Sequence, residues 1–251
     1  MDRNCPKCNK TAKPDDFYCS SCGFPLENVS ENQSRAGVPW DERRNMGTAA
    51  AAYETGKAVL NSPSNFFENF KSGNKHWESI LYCILFSILG ALFYGIIILL
   101  YDSGQIQALI VKTLDNKVSR EWVNSMYKWM LVANIVLAPI INIIVMYLWS
   151  GSMYLLLRFS DPGKANFFTT LQITSYAQTS QLAHAIPVFG GLLVYAGFIG
   201  FTVLGIKRRY NLTGFKAIIL GLVSILFMLL IISLIIMSIY SIVKGFLPPM
   251  K

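Results

Sequence analysis

Long apolar runs after residue 76 constrain this chain more than any other feature of its sequence. An α-helix rises about 1.5 Å per residue, so roughly 20 apolar residues cross the hydrocarbon layer of a bilayer. Charged residues make up only 14% of the chain, whereas soluble domains carry about a quarter. The sequence therefore predicts an all-α, multi-pass membrane helix bundle that is preceded by a small polar region.

Five spans are predicted within a membrane domain at residues 77–247. Their approximate ranges are 77–101, 129–149, 166–186, 188–206 and 215–243. The third range is the least apolar of the five. An odd number of crossings places the two termini on opposite sides of the membrane, and the chain is predicted to lie in the cell membrane. Most of the excess positive charge follows residue 76, beside the spans, as orientation signals do, and no basic stripe for nucleic acid is present.

The polar region begins with two Cys-x-x-Cys pairs separated by ten residues. Cys5, Cys8, Cys19 and Cys22 supply four thiolates for one tetrahedral zinc ion, so residues 1–26 are predicted to form a zinc ribbon. So short a segment buries too little surface to fold alone, and the metal would therefore have a structural role. A redox dithiol or a pair of disulfides is the alternative. Zinc-bound thiolates favour a reducing compartment, which places the N-terminus in the cytoplasm and the C-terminus outside.

Residues 27–61 are predicted to form a flexible, partly helical linker, with a helix in the alanine-rich run at residues 48–60. Residues 62–76 then predict a short interfacial helix, with Ser62 as N-cap and Pro63 at the first helical position. Its three phenylalanines at positions 66, 67 and 70 share one face. That face either lies at the membrane interface or packs on the spans.

Polar side chains are concentrated in the third predicted span. Because lipid cannot satisfy so many hydrogen-bonding groups, this helix is predicted to lie inside the bundle. The residues that indicate a polar network or a cavity are Asn134 and Asn142 in the second span and Gln172, Gln178, Gln181 and His184 in the third. Interhelical hydrogen bonding and a water-accessible cavity are the two interpretations. A Ser180–His184 pair lacks an acidic partner at membrane depth, so no catalytic site and no enzyme is predicted.

Small residues characterise the fourth predicted span. A helix-packing seam is predicted there, formed by Gly190, Gly191, Ala196 and Gly200. Small residues four positions apart allow two helix backbones to approach closely. The seam either packs within the bundle or joins two copies of the chain.

Two parts of the sequence resemble known families. The pattern Cys-Pro-x-Cys followed by Phe-Tyr-Cys-x-x-Cys-Gly-x-Pro-Leu is similar to the zinc ribbons that begin many bacterial and archaeal membrane proteins. The phenylalanine-rich segment before a Trp-led first span resembles bacterial and archaeal members of the Yip family (Ypt- and Rab-interacting proteins). Residues 155–158, 167–171 and 185–191 resemble it too. The resemblance covers roughly residues 62–243.

The Yip resemblance implies a five-span protein with a cytosolic N-terminus. Some bacterial relatives resemble accessory subunits of membrane transport systems. We therefore expect a non-enzymatic membrane adaptor that engages the bilayer and a membrane protein or lipid partner, with a zinc ribbon for cytosolic recruitment. A homo-oligomer and a small-solute, ion or lipid pathway through the third span are the alternatives. Small-GTPase binding is not expected, because the ribbon replaces the longer N-terminal region of eukaryotic relatives.

Overall fold

The structure is a computed structural model that describes residues 3–5, 7–12, 21–22, 37–72, 76–101, 119–160 and 165–246. Two short strands and a 3₁₀-helix come first: β1 (Arg3–Asn4), β2 (Thr11–Ala12) and Pro39–Glu42. The helices are α1 (Arg43–Met46), α2 (Thr48–Asn61), α3 (Pro63–Asn69), α4 (His76–Tyr101), α5 (Arg120–Ser160), α6 (Phe167–Ala177), α7 (Gly190–Arg209) and α8 (Gly214–Phe246). A second 3₁₀-helix, Gln178–Ala185, continues α6.

The predicted fold class, a multi-pass membrane helix bundle, is confirmed. Three helices are long and apolar enough to cross a membrane, namely His76–Leu100, Leu131–Ser160 and Gly190–Arg209. The first part of α8, Gly214–Leu230, is a further apolar helix. Large apolar side chains on these helices are exposed, as expected of surfaces that contact lipid rather than water.

The third predicted span differs from the other helices. Its α-helix ends at Ala177 after 11 residues, and an eight-residue 3₁₀-helix follows. Every residue from 169 to 181 is buried. The hydroxyls of Thr170, Thr174 and Thr179 donate to carbonyls three or four residues earlier, at 2.8–3.0 Å. Such local bonds compete with regular helical bonding, which is consistent with the change of helix type.

This third segment, α6 with its 3₁₀ extension, runs antiparallel to α7. At one end, the hydroxyl of Tyr210, just after α7, donates to the carbonyl of Asn166 at 3.0 Å. At the other end, Gly190 at the start of α7 packs against the backbone of Ala183 and His184. The enclosed polar segment packs against α4, α5 and α7.

The predicted linker is a packed part of the protein where the structure describes it, at residues 37–61. The helix predicted for residues 48–60 is present as α2. Residues 37–47 are not a flexible tether, however, because Val38 and Trp40 are buried together with one face of α2. This packing has no local signal in the sequence, because the Trp40 indole bonds to Glu78 in α4, far along the chain.

The phenylalanine-rich helix α3 also packs into the bundle. Phe67 and Phe70 are buried, and the ring of Phe70 meets that of Tyr176 in α6 edge to face, with centroids 5.9 Å apart. Pro63 occupies the first helical turn as predicted, although the Ser62 side chain makes no capping hydrogen bond. Of the two interpretations given above for this face, the structure has the one in which it packs on the spans.

Candidate functional site: a cysteine cluster and a buried polar core

Cys5 and Cys8 lie on a tight hairpin. Strands β1 and β2 pair in antiparallel register, with Arg3 opposite Ala12. Between them the amide of Cys5 donates to the carbonyl of Lys10, and the amide of Asn9 donates to the carbonyl of Cys5, both at 2.8 Å. Asn9 has φ 57°, a left-handed conformation that asparagine tolerates better than most residues. This turn presents Cys5 and Cys8 on the same side.

The thiols of Cys5, Cys8 and Cys22 converge. Their sulfur atoms all lie within 4.8 Å of one another, and those of Cys5 and Cys22 are 3.6 Å apart. Two thiolates on one tetrahedral zinc lie about 3.8 Å apart, because each Zn–S bond is about 2.3 Å long. The cluster therefore has dimensions that fit a metal ion. Cys19, the fourth predicted ligand, lies outside the described residues.

The predicted polar residues of the third segment are brought together in part. The amide nitrogen of Gln181 donates to the Oε1 of Gln178 at 3.2 Å and to the Oδ1 of Asn142 in α5 at 3.4 Å. Gln172 is also buried, whereas Asn134 is exposed on α5. The network thus joins the third segment to α5 through Asn142.

Hydroxyl groups tie the third segment to its other neighbours. Thr179 donates to its own helix, so the hydroxyl of Tyr82 in α4 donates to Thr179 at 2.7 Å. Ser175 donates to the backbone carbonyl of Ser79 at 2.6 Å. Near the other end, the hydroxyl oxygens of Thr170 and Tyr210 lie 3.1 Å apart, and both hydroxyls donate to the carbonyl of Asn166. Sequence reasoning missed Tyr82 and Tyr210, which look like ordinary aromatic residues of membrane helices.

Ser180 and His184 do not form the pair that their spacing suggested. A 3₁₀-helix has three residues per turn, so positions i and i+4 point in different directions. Ser180 contacts Gly197 of α7, and His184 lies against the ring of Tyr94, with centroids 5.4 Å apart. The Oγ of Ser180 and the Nδ1 of His184 are buried without a hydrogen-bond partner in the described part of the chain.

The small residues of α7 divide between two faces. A Cβ on Gly190 would lie 2.7 Å from the carbonyl oxygen of Ala183, so this position packs within the bundle. At Gly191 and Gly200 a Cβ would meet nothing within 4 Å, and Ala196 is exposed. The predicted seam is thus only partly a packing surface. Gly205, a small residue of the same span outside the predicted seam, is packed much more tightly than Gly200.

Residues 38–70, which we call the N-terminal clasp, hold one end of the bundle. The indole nitrogen of Trp40 donates to the carbonyl of Glu78 at 2.8 Å, and its backbone amide donates to the hydroxyl of Thr55 at 2.9 Å. The Trp40 ring meets Tyr82 edge to face, with centroids 5.2 Å apart. Arg43 forms a largely buried ion pair with Glu78. These contacts fix the clasp to α4.

The opposite edge of the clasp contacts the end of α7. Glu68 pairs with Arg208 at 3.7 Å, and the guanidinium of Arg209 lies 5.2 Å from the centre of the Phe70 ring. The clasp and the basic end of α7 therefore share one side of the bundle.

Comparison with known proteins gives one family. The Yip1 domain matches residues 57–244, which is more than half of the chain and includes every membrane helix described above. No curated protein and no solved structure shows significant similarity to the chain.

Proposed function

Because this chain belongs to the Yip1 domain family, a family of membrane proteins, we propose that it is a non-enzymatic integral membrane adaptor. Its helix bundle contacts the bilayer and engages a membrane protein, such as a component of a transport system, or a lipid. Its N-terminal ribbon, with one structural zinc ion held by Cys5, Cys8, Cys19 and Cys22, recruits a cytosolic partner.

The observation that carries this proposal is the internal pairing of the buried polar segment. Thr170, Ser175, Thr179 and Gln181 all bond to other helices or to their own. Groups that line a water-filled pathway would instead face a common open space. The pairing supports a segment that holds the bundle together, as interhelical hydrogen bonds do in membranes.

The clasp supports the adaptor role in a second way. It is a packed structure with Trp40 buried in it, and it follows the cysteine cluster in sequence. The clasp limits the stretch between the ribbon and the bundle to residues 23–36, so a partner bound at the ribbon would stay within about 50 Å of this end of the bundle.

The topology belongs to the same proposal. We propose five crossings, with the third segment as the third, an N-terminus in the cytoplasm and a C-terminus outside. The antiparallel course of the third segment beside α7 supports five. The reducing environment that zinc-bound thiolates require, and the basic residues at positions 207–209, support the orientation.

A pathway for a small solute, an ion or a lipid is the second candidate function. The buried Oγ of Ser180 and Nδ1 of His184 favour it, because both lack partners in the described part of the chain. Intramembrane polar groups of this kind often mark ion or substrate sites. The hydroxyl of Tyr176 in the same segment is also buried without a hydrogen-bond partner in the described part of the chain. The same arrangement also fits simple packing against α4 and α7, and the paired groups outnumber these three.

The adaptor proposal is tested by capturing the full chain from native membranes after chemical cross-linking and identifying the proteins retained. We expect a defined membrane protein with the wild type. Trp40→Ala should reduce the retained cytosolic partner, because it releases the clasp from α4, whereas Tyr53→Ala on the exposed face of α2 should not. Retention of the same background proteins by wild type and both variants would contradict the proposal.

A further inference from the structure

An apolar groove of about 350 Å³ runs between α7 and α8, on the outside of the bundle. This volume lies at the lower end of the 300–1,000 Å³ or so that is usual for ligand sites. Gly200 and Val203 of α7 form one wall, and Gly221 of α8 forms part of the other. Apart from Lys207, every residue of the described lining is apolar or glycine.

The groove has the length of one membrane leaflet. On α8 its lining extends from Gly214 to Ile225. Eleven steps of about 1.5 Å give roughly 16 Å, which is about half of the 30 Å or so of hydrocarbon in a bilayer. With the basic end of α7 at the membrane boundary, as the cluster at residues 207–209 favours, the groove would extend from that boundary to near the midplane.

Lys207 lies at the end of the groove where α7 ends and α8 begins. Its Nζ lies 3.6 Å from the position that a Cβ on Gly214 would take, so the ammonium lies over the start of α8. In the described part of the chain no carboxylate pairs with it, whereas the neighbouring Arg208 pairs with Glu68. The first turn of α8 contains no acidic residue and includes Lys216. The mouth of the groove thus favours an anion.

We propose that this groove binds one acyl chain of an anionic phospholipid, with the phosphate of the lipid against the ammonium of Lys207. An apolar slot of one-leaflet length below an unpaired cation complements such a lipid in shape and in charge. A second copy of the chain fits less well. In a symmetric dimer through this face, α7 and α8 would meet their own copies, and neither helix contains a carboxylate to pair with Lys207.

The inference deepens the lipid-contact part of the proposed function and names its site. The anionic lipids of a cytoplasmic leaflet are available to this groove if the clasp side faces the cytoplasm, as proposed above. The cross-linking assay for the partner does not measure lipid. A negative result for the adaptor proposal therefore leaves the lipid proposal standing, and the reverse holds too.

The test measures lipid retained by the purified full chain in mild detergent, by native mass spectrometry. Phosphatidylglycerol and phosphatidylcholine with identical acyl chains are added in turn. We expect one phosphatidylglycerol to be retained about fivefold better than phosphatidylcholine, since a single lysine near an anionic headgroup contributes that much. Lys207→Gln should abolish the preference, and Gly200→Leu, which fills the groove where a Cβ meets nothing, should reduce retention of both lipids.

Two variants serve as matched controls. Lys57→Gln removes one exposed positive charge from α2 on the same side, and Gly191→Leu adds the same side chain to α7 outside the groove. Both should retain lipid like the wild type, and unchanged size-exclusion profiles and thermal unfolding establish that all four variants fold. Equal retention of the two lipids by the wild type would overturn the proposal, as would equal losses in Lys207→Gln and Lys57→Gln. Displacement by inorganic phosphate alone would indicate a phosphate site rather than a lipid site. Dissociation of an oligomer by Gly200→Leu would assign the groove to a second copy.

Discussion

At the scale of single residues, the cysteine cluster is the feature with the most specific chemistry. The sulfur atoms of Cys5, Cys8 and Cys22 converge within 4.8 Å, and their spacing suits one tetrahedral ion. Cys22 lies 17 residues after Cys5, outside the hairpin that contains Cys5 and Cys8. A metal bound there would join two turns that are distant in sequence and would supply the folding energy that so small a unit lacks.

The zinc assignment predicts one zinc per chain in the purified protein. Cys22→Ser should lower the bound zinc to background, because three thiolates hold the ion much more weakly than four. Cys83→Ser should leave the zinc content unchanged, since Cys83 is buried in α4 beside Ser87. Elemental analysis of the protein measures both. A wild-type protein without zinc and with oxidised N-terminal cysteines would contradict the assignment.

At the scale of helices, α7 shows why a pattern of small residues does not by itself identify a packing face. Its tight contacts lie at Gly190, Gly197 and Gly205, seven and eight residues apart, where the helix meets the third segment. Ala196 and Gly200 have the spacing of a packing motif but lie on another face. Only the tertiary arrangement distinguishes the two faces.

A pair of substitutions on α7 tests this distinction. In Gly205→Ala the new Cβ would lie 2.5 Å from Ile173 and 3.0 Å from the Phe67 ring, so neighbours must move. We expect the free energy of unfolding to fall by about 1–3 kcal/mol, the usual cost of overpacking. Gly200→Ala meets nothing within 4 Å and should be neutral or slightly stabilising. Reversible unfolding in detergent measures both, and equal effects would contradict the assigned packing face.

The third segment gives a second prediction at this scale. Gln181→Leu removes the bonds to Gln178 and Asn142, and should lower the free energy of unfolding by about 1 kcal/mol or less, because such bonds are weak in membranes. Asn134→Leu, on the exposed side of α5, should have no such cost. A double-mutant cycle between Gln181 and Asn142 isolates their coupling. A coupling energy of zero would show that the bridge contributes nothing.

At the scale of the whole molecule, successive helices run in opposite directions, and the polar third segment packs against α4, α5 and α7. Reporter fusions test the proposed topology. We expect a fusion near residue 40 to report the cytoplasm and one after residue 246 to report the outside. If a fusion after residue 246 reported the cytoplasm, the chain would cross the membrane an even number of times. The third segment would then be the one that does not cross.

Much of this arrangement was predictable from the sequence, because lipid imposes strict demands on composition. The apolar runs in the sequence correspond to helices α4, α5, α7 and α8. The many polar groups of residues 166–186 require that segment to be enclosed by other helices. Other features have no local signal. The contact between Trp40 and Glu78 joins residues 38 positions apart, and no residue type marks the change from α- to 3₁₀-helix at Gln178.

We propose that the polar third segment is a sealed structural core and not a hydrated pathway. The most direct measurement is the labelling of Ser175→Cys and Ser180→Cys in membranes by a small water-soluble thiol reagent, with each site identified by peptide mass. Both positions are buried, and exposed Ser160→Cys at the end of α5 serves as the accessible control. We expect rapid labelling at residue 160 and none at residues 175 and 180 in the folded protein. Labelling of either buried position at a rate close to that of residue 160 would contradict a sealed third segment.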